Sequence, residues 1–282
     1  IGEILGTSYS YPYFPGFRRY IPAMAFPAFF GLVALVWRIF CHELHESHEL
    51  KPKTKNQKPK TPVLLISLSV LAFGYTVFSY FYVWTTATAW LGCLGVCWLV
   101  VRPEGVWRDL KAFICLGVGC LVLLAPYAYM LSQRSHTMDD VQMLVRTRLP
   151  DLARVPELIG FVVLFVIAAG IVMKMFRFRD RGTLFAISLA LTPVIVFNQQ
   201  IVTGQSLQPI HYQVFIGNYV AGLAVVVTLG LIWRTAEGRE RLAARIVLAS
   251  VAILAAAWGF VECHYTVRIL DEVNVIRDEA LP

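Results

Sequence analysis

The chain has 282 residues, of which 57% are hydrophobic and only 15% charged, and its formal net charge is +7. Soluble domains carry about a quarter of their residues as charged side chains, so a water-soluble fold is excluded. The basic balance is a matter of membrane topology and gives no reason to invoke nucleic acid.

Residues 1–19 precede the first apolar run and read as an extracytoplasmic N-terminal segment. A membrane-spanning helix needs about 20 mainly apolar residues. Runs of that kind cover residues 20–40, 62–82, 84–101, 112–131, 158–176, 183–198, 212–233 and 246–265. Two of them fall in the 41 residues between Lys60 and Arg102 that lack any charged side chain. Backbone groups in hydrocarbon must bond within their own segment, and no run alternates like a barrel strand. The expected fold is therefore all-α, a polytopic transmembrane helix bundle of about eight spans over residues 20–265.

The loop after the first span, residues 41–61, opens on "CHELHESHELKPKTKNQKPK". His42, His45 and His48 recur every three residues, each followed by a glutamate. On a helix they would form one stripe of ligands for zinc or nickel. The segment runs straight into a Lys- and Pro-rich tail and lacks a second cluster. It therefore reads as a solvated loop facing anionic lipid, and no metal is assigned. Cys93 and Cys97 lie one helical turn apart, poor geometry for a disulfide, and with Gly92 and Gly95 they read as small packing residues. Phe78, Tyr80, Phe81, Tyr82, Trp84 and Trp90 surround the turn between the second and third spans. They read as an interfacial aromatic belt, although the same rings offer faces to a sugar or a prenyl chain.

The next outer loop, residues 132–157, contains Asp139 and Asp140 followed by Val141, Leu144 and Val145 on one helical face. That pattern fits a short interfacial helix, after which Pro150 and Pro156 bend the chain back. Arg134, Arg146, Arg148 and Arg154 lie close to this surface. A guanidinium grips phosphate through a planar fork, which makes Arg146 and Arg148 candidate phosphate ligands. The competing reading pairs the four arginines with Asp139, Asp140, Asp151 and Glu157. Lys174, at the end of the fifth run, reads as a lysine snorkelling to the interface.

The sixth and seventh runs enclose "NQQIVTGQSLQPIHYQVF", which holds no acid, lysine or arginine. This outer polar hairpin, residues 198–212, concentrates Gln199, Gln200, Thr203, Gln205, Gln208, His211 and Tyr212. Amides and hydroxyls without fixed charge suit sugar hydroxyls, and His211 titrates near neutrality and can serve a phosphate or move a proton. Asn218 and Tyr219 follow His211 and Tyr212 by seven residues, about two helical turns, so each pair is expected on one face. Asn218 joins the candidate ligand contacts because a polar group there needs protein or a wet cavity. The structural alternative is a polar hairpin that only ties two helix ends together.

If the spans alternate, the loops at 41–61, 102–111, 177–182 and 234–245 share one face. With Arg38 and Lys174, that face holds 17 of the 25 Lys and Arg. It is expected to be cytoplasmic, with the whole in a bacterial inner (plasma) membrane. Residues 266–282 then form an extracytoplasmic C-terminal segment. The chain starts without Met and stops soon after the eighth run, and is expected to be part of a longer protein.

Three stretches carry a resemblance: "SYFYVWTTA", "LLAPYAYML" leading to "RTRLPDLARVPELIG", and "NQQIVTGQSLQPIHYQ". In their order and topology they resemble the multi-span core of GT-C type integral-membrane glycosyltransferases. The resemblance implies a polyprenyl-phosphate-linked sugar as donor, a glycan or lipid as acceptor, and an active site away from the cytoplasm; beyond that donor substrate no cofactor is assigned. It also implies a catalytic acid in a large first outer loop. No such loop precedes the first span and Glu3 is not assigned that role, so the catalytic residue is unassigned and expected upstream of Ile1. A transporter or flippase for a lipid-linked saccharide is the alternative. The chain has no internal repeat, its polar residues gather at the rim, and Pro193 beside Thr192 is the clear mid-span breaker. A second alternative is a non-catalytic membrane assembly subunit.

Overall fold

A computed structural model of the chain describes residues 20–41, 63–133 and 145–235, with isolated helical positions at 246, 250, 253 and 257. The rest of the eighth run, the histidine loop, both terminal segments and residues 134–144 lie outside the described residues. Residues Met24–Thr235 form one compact unit. Its long helices are α1 (Tyr20–Cys41), α2 (Val63–Ser79), α3 (Phe81–Val101), α4 (Val106–Ser132), α5 (Val155–Val172) and α6 (Arg181–Phe197). Then follow a one-turn helix α7 (Gln200–Thr203), another, α8 (Pro209–Tyr212), a π-turn (Gln213–Gly217) and α9 (Asn218–Thr235). A two-residue antiparallel ladder pairs β1 (Val145–Arg146) with β2 (Gln205–Ser206).

Among the described residues, six helices are long and apolar enough to cross a membrane, and α2, at 17 residues, is shorter. This is a helical membrane protein. Helix α6 is central and packs against α3, α5 and α9, while α2 packs on α3 and α4. Helix α1 joins through rings: Phe29 meets Trp90, Trp37 meets Phe185, and Phe26 meets Tyr219. Close approach needs small residues. A Cβ on Gly160 of α5 would strike the carbonyl oxygen of Ala190 in α6, the tight backbone contact by which membrane helices associate without a hydrophobic drive. A hydrogen bond from Trp90 Nε1 to Ser188 Oγ (3.1 Å) ties α3 to α6 in the buried interior.

The helix ends differ from the sequence expectation where tertiary contacts take over. The second and third runs are separated by Tyr80 alone, which is extended at φ −155°. Helix α4 starts earlier than the fourth run and includes Arg108, Asp109 and Lys111. Asp109, only 4% exposed, accepts from Trp98 Nε1 (3.1 Å) and pairs with Arg181 (3.0 Å), so its charge is matched inside the bundle. Helix α5 starts and stops earlier than the fifth run. Met175 and Phe176 donate back to the Gly170 carbonyl (2.8 and 3.1 Å), and the Phe176 ring lies where a Cβ on Gly170 would be. Lys174 thus sits in a left-handed turn position (φ 60°) beyond the helix, exposed, and does not snorkel from within it. Val145 is extended in β1 and belongs to no interfacial helix, because it pairs with Ser206.

Arg181 also marks one end of the bundle. It donates to the carbonyls of Phe40 (3.1 Å) and Glu104 (2.8 Å), gathering the last turn of α1, the α3–α4 turn and the start of α6. These are the basic connections. The β1–β2 ladder, the α2–α3 break and the 198–212 hairpin belong to the opposite end.

Candidate functional site at the polar rim

The rim is built by two segments far apart in sequence. One is the extended chain 145–154 leading into α5, and the other is the strap 198–212 between α6 and α8. The ladder Val145↔Ser206 and Arg146↔Gln205 joins them, and Thr147 N continues it to the Gly204 carbonyl (3.2 Å). Gly204 adopts φ +78°, which closes α7 and turns the strap back.

A clamp fixes the loop against α6. Asn198 Oδ1 accepts from the Asp151 backbone N–H (2.8 Å) while its Nδ2 donates to the Asp151 carbonyl (2.9 Å). The same Nδ2 reaches the Glu157 carboxylate (2.8 Å) and the Val194 carbonyl (2.9 Å). Glu157 is fully buried, and its other oxygen accepts from the Arg154 N–H (3.1 Å), closing the first turn of α5 behind Pro156. Arg154 bonds Asp151 Oδ2 (2.5 Å) and Gln213 Oε1 (3.3 Å), and lies over the Phe197 ring. Of the expected arginine–acid pairings, Arg154 with Asp151 is present among the described residues. The sequence signal for the clamp was the Pro156–Glu157 helix start. Asn198, Asp151 and Glu157 as a unit had no local signal, because they meet only when α5 and α6 pack.

The candidate ligand residues divide into two groups. Several bond within the strap or to the loop. Gln199 donates to the Gln205 carbonyl (2.9 Å), Thr203 to Gln199 Oε1 (3.0 Å), and buried Gln200 to the Leu149 carbonyl (3.1 Å). Gln208 Oε1 accepts from Tyr82 OH (2.7 Å). Tyr212 is buried and shares a hydrogen bond with Thr85 Oγ1 (3.0 Å). His211 is stacked between Tyr82 (5.3 Å, 10°) and Phe215 (5.8 Å, 28°).

The second group points outward. Arg146 and Gln205 are both exposed and directly opposite in the ladder. Cross-strand neighbours hold their Cβ atoms about 4.5–5.5 Å apart, so a guanidinium and an amide stand side by side. Arg148, also exposed, donates to the Ile201 carbonyl (2.9 Å) and lies against Gly204. Arg146, Arg148 and Gln205 thereby share one surface, while Gln199, Gln200 and Gln208 are bonded within the protein.

Asn218 does not join it. In the π-turn the Asn218 N–H bonds the Gln213 carbonyl, five residues back. The wider turn shifts the register, so residues seven apart no longer share a face. Asn218 is exposed on α9, while Tyr219 packs on Phe26 and Phe30 of α1. The expected stripe from His211 to Asn218 is absent.

Among the described residues no group of three His, Cys, Asp or Glu is arranged to hold a metal, and Cys41, Cys93, Cys97, Cys115 and Cys120 are free thiols. No family model, curated protein or solved structure matches the chain.

Proposed function

We propose that the protein is a membrane glycosyltransferase, or the lipid-binding part of one, that handles a lipid-linked saccharide at the rim opposite its basic loops. In this reading the bundle has about eight spans, the basic loops are cytoplasmic, and the membrane is a bacterial inner membrane. The observation that carries it is the pairing of exposed Arg146 with exposed Gln205, with Arg148 beside them. A guanidinium suits a lipid phosphate, and a neighbouring amide suits sugar hydroxyls. The half-buried rings of Tyr82 and His211, backed by buried Phe215, lie next to the same strap.

Against a transporter stands the continuity of the helices. Helices α1, α4 and α6 run unbroken through Pro27, Pro126 and Pro193, and the π-turn lies near the rim. Transporters place discontinuous helices at the midplane.

The test is sugar transfer from polyprenyl-phosphate donors in membranes containing the protein, compared with Arg146→Ala and Gln205→Ala. Both side chains are exposed, so insertion and stability should stay as in wild type while transfer falls about tenfold or more in Arg146→Ala, as for loss of a charge-assisted contact of roughly 1.5–3 kcal/mol, and less in Gln205→Ala, whose neutral contact contributes about 0.5–1.5 kcal/mol. Unchanged transfer in both variants removes the rim from the reaction. Movement of the lipid-linked sugar across the bilayer without transfer makes the protein a flippase, and neither activity leaves an assembly subunit.

A further inference from the structure

At the basic end, α3 and α4 diverge around a small, open apolar groove of about 50 Å³ lined by Gly95, Trp98, Leu99, Val106, Leu110 and Phe113. Gly95 and Leu99 stand one turn apart on one face of α3, and Arg102, just past the end of that helix, turns back to donate from its Nε to the Leu99 carbonyl (3.4 Å). The groove therefore runs from Arg102 inward for seven residues, about 10 Å at 1.5 Å per residue. That is roughly two-thirds of one leaflet's hydrocarbon, taken as half of a core about 30 Å thick. Its α4 wall belongs to the span least enclosed by protein among the described residues, with 11% of that helix's apolar run buried. The groove thus lies where acyl chains are.

The mouth is cationic. Arg102 caps α3 in a left-handed conformation (φ 53°) and its side chain is exposed. Arg108 and Lys111 are also exposed in the first turns of α4. The acids nearby are Glu104 and Asp109; Asp109 is buried against Arg181 (3.0 Å) and also pairs with Arg108 (3.8 Å), so one acid is shared by two cations and the mouth stays positive through Arg102 and Lys111. Trp107, 77% exposed, stands at the same height, as a ring at the membrane–water boundary does.

We propose that this groove is a specific site for an anionic phospholipid, with one acyl chain between α3 and α4 and the headgroup phosphate on Arg102. Basic pockets between spans recognise acidic headgroups in this way. The site is separate from the polar rim and does not depend on how the rim functions. A Cβ on Gly95 meets nothing within 4 Å, so Gly95→Leu fills the groove from within without striking the backbone.

Native mass spectrometry of the purified protein, with phosphatidylglycerol or phosphatidylcholine of identical chains, tests the assignment. Wild type should retain phosphatidylglycerol about fivefold better, the factor for one cation near the surface. Arg102→Gln should lose that preference while still holding phosphatidylcholine, and Gly95→Leu should hold less of either lipid. Equal retention of the two lipids by wild type overturns the headgroup assignment. Wild-type retention by Gly95→Leu, at unchanged helicity and thermal midpoint, overturns the chain assignment. If Gly95→Leu does not fold, Arg102→Gln decides, and an undiminished preference in it counts against the site.

Discussion

Asn198 grips Asp151 by both of its backbone groups, accepting from the N–H at 2.8 Å and donating to the carbonyl at 2.9 Å. This is the bonding a neighbouring strand would supply, provided here by one side chain at the end of α6. It holds the rim segment in place while the same amide satisfies the buried Glu157.

Replacing Asn198 by Ala should therefore act on the rim as a whole. A buried carboxylate that loses its donor costs roughly 1–3 kcal/mol, and the two lost backbone bonds add about 1 kcal/mol each. The expected result is rapid proteolytic cleavage within 145–154 together with a lower thermal midpoint. A variant as protease-resistant as wild type would show that the ladder and Arg154 hold the loop alone.

Asp109 and Arg181 form a nearly buried ion pair that also organises Trp98, Phe40 and Glu104. Asp109→Leu or Arg181→Met alone should destabilise by about 3–5 kcal/mol, because each leaves an unmatched charge. The double variant should recover most of that loss. Thermal unfolding in detergent measures it, and additive losses would mean that the two groups do not act as a pair.

Gly160→Ala is a small change with a large expected effect. The added methyl meets the Ala190 carbonyl and must separate α5 from α6. Overpacking costs typically 1–3 kcal/mol. Ser188→Ala removes the interhelical hydrogen bond from Trp90, worth about 0.6 kcal/mol in a membrane, and the local one that Ser188 donates to the Phe185 carbonyl within its own helix. The order of their thermal midpoints checks both statements, and Ser188→Ala as the worse variant would contradict them.

His211 stacks on Tyr82, whose hydroxyl is bound by Gln208. His211→Phe keeps a ring between Tyr82 and Phe215, whereas His211→Ala removes it, and aromatic pairs contribute about 0.5–1.5 kcal/mol beyond burial. His211→Phe should then stay near wild-type stability and His211→Ala should not. If His211→Phe also abolishes transfer, the imidazole acts chemically; if it transfers normally, the residue serves as a wall.

The membrane class, the helical fold and the position of most spans were legible in the chain because hydrocarbon imposes a one-dimensional rule: about 20 apolar residues, bonded within themselves. What the local pattern missed depends on partners. Asp109 reads as the loop before a span, and only Trp98 and Arg181 make it part of α4. The seven-residue spacing of His211 and Asn218 predicts a shared face, yet a single π-turn rotates one away from the other. Arg146 and Gln205 are strong candidates separately, but only the ladder makes them neighbours. Hydropathy along a chain records the solvent each segment requires. Which polar groups meet is decided by helix packing, because those groups are satisfied across segments and their spacing in sequence carries no trace of it.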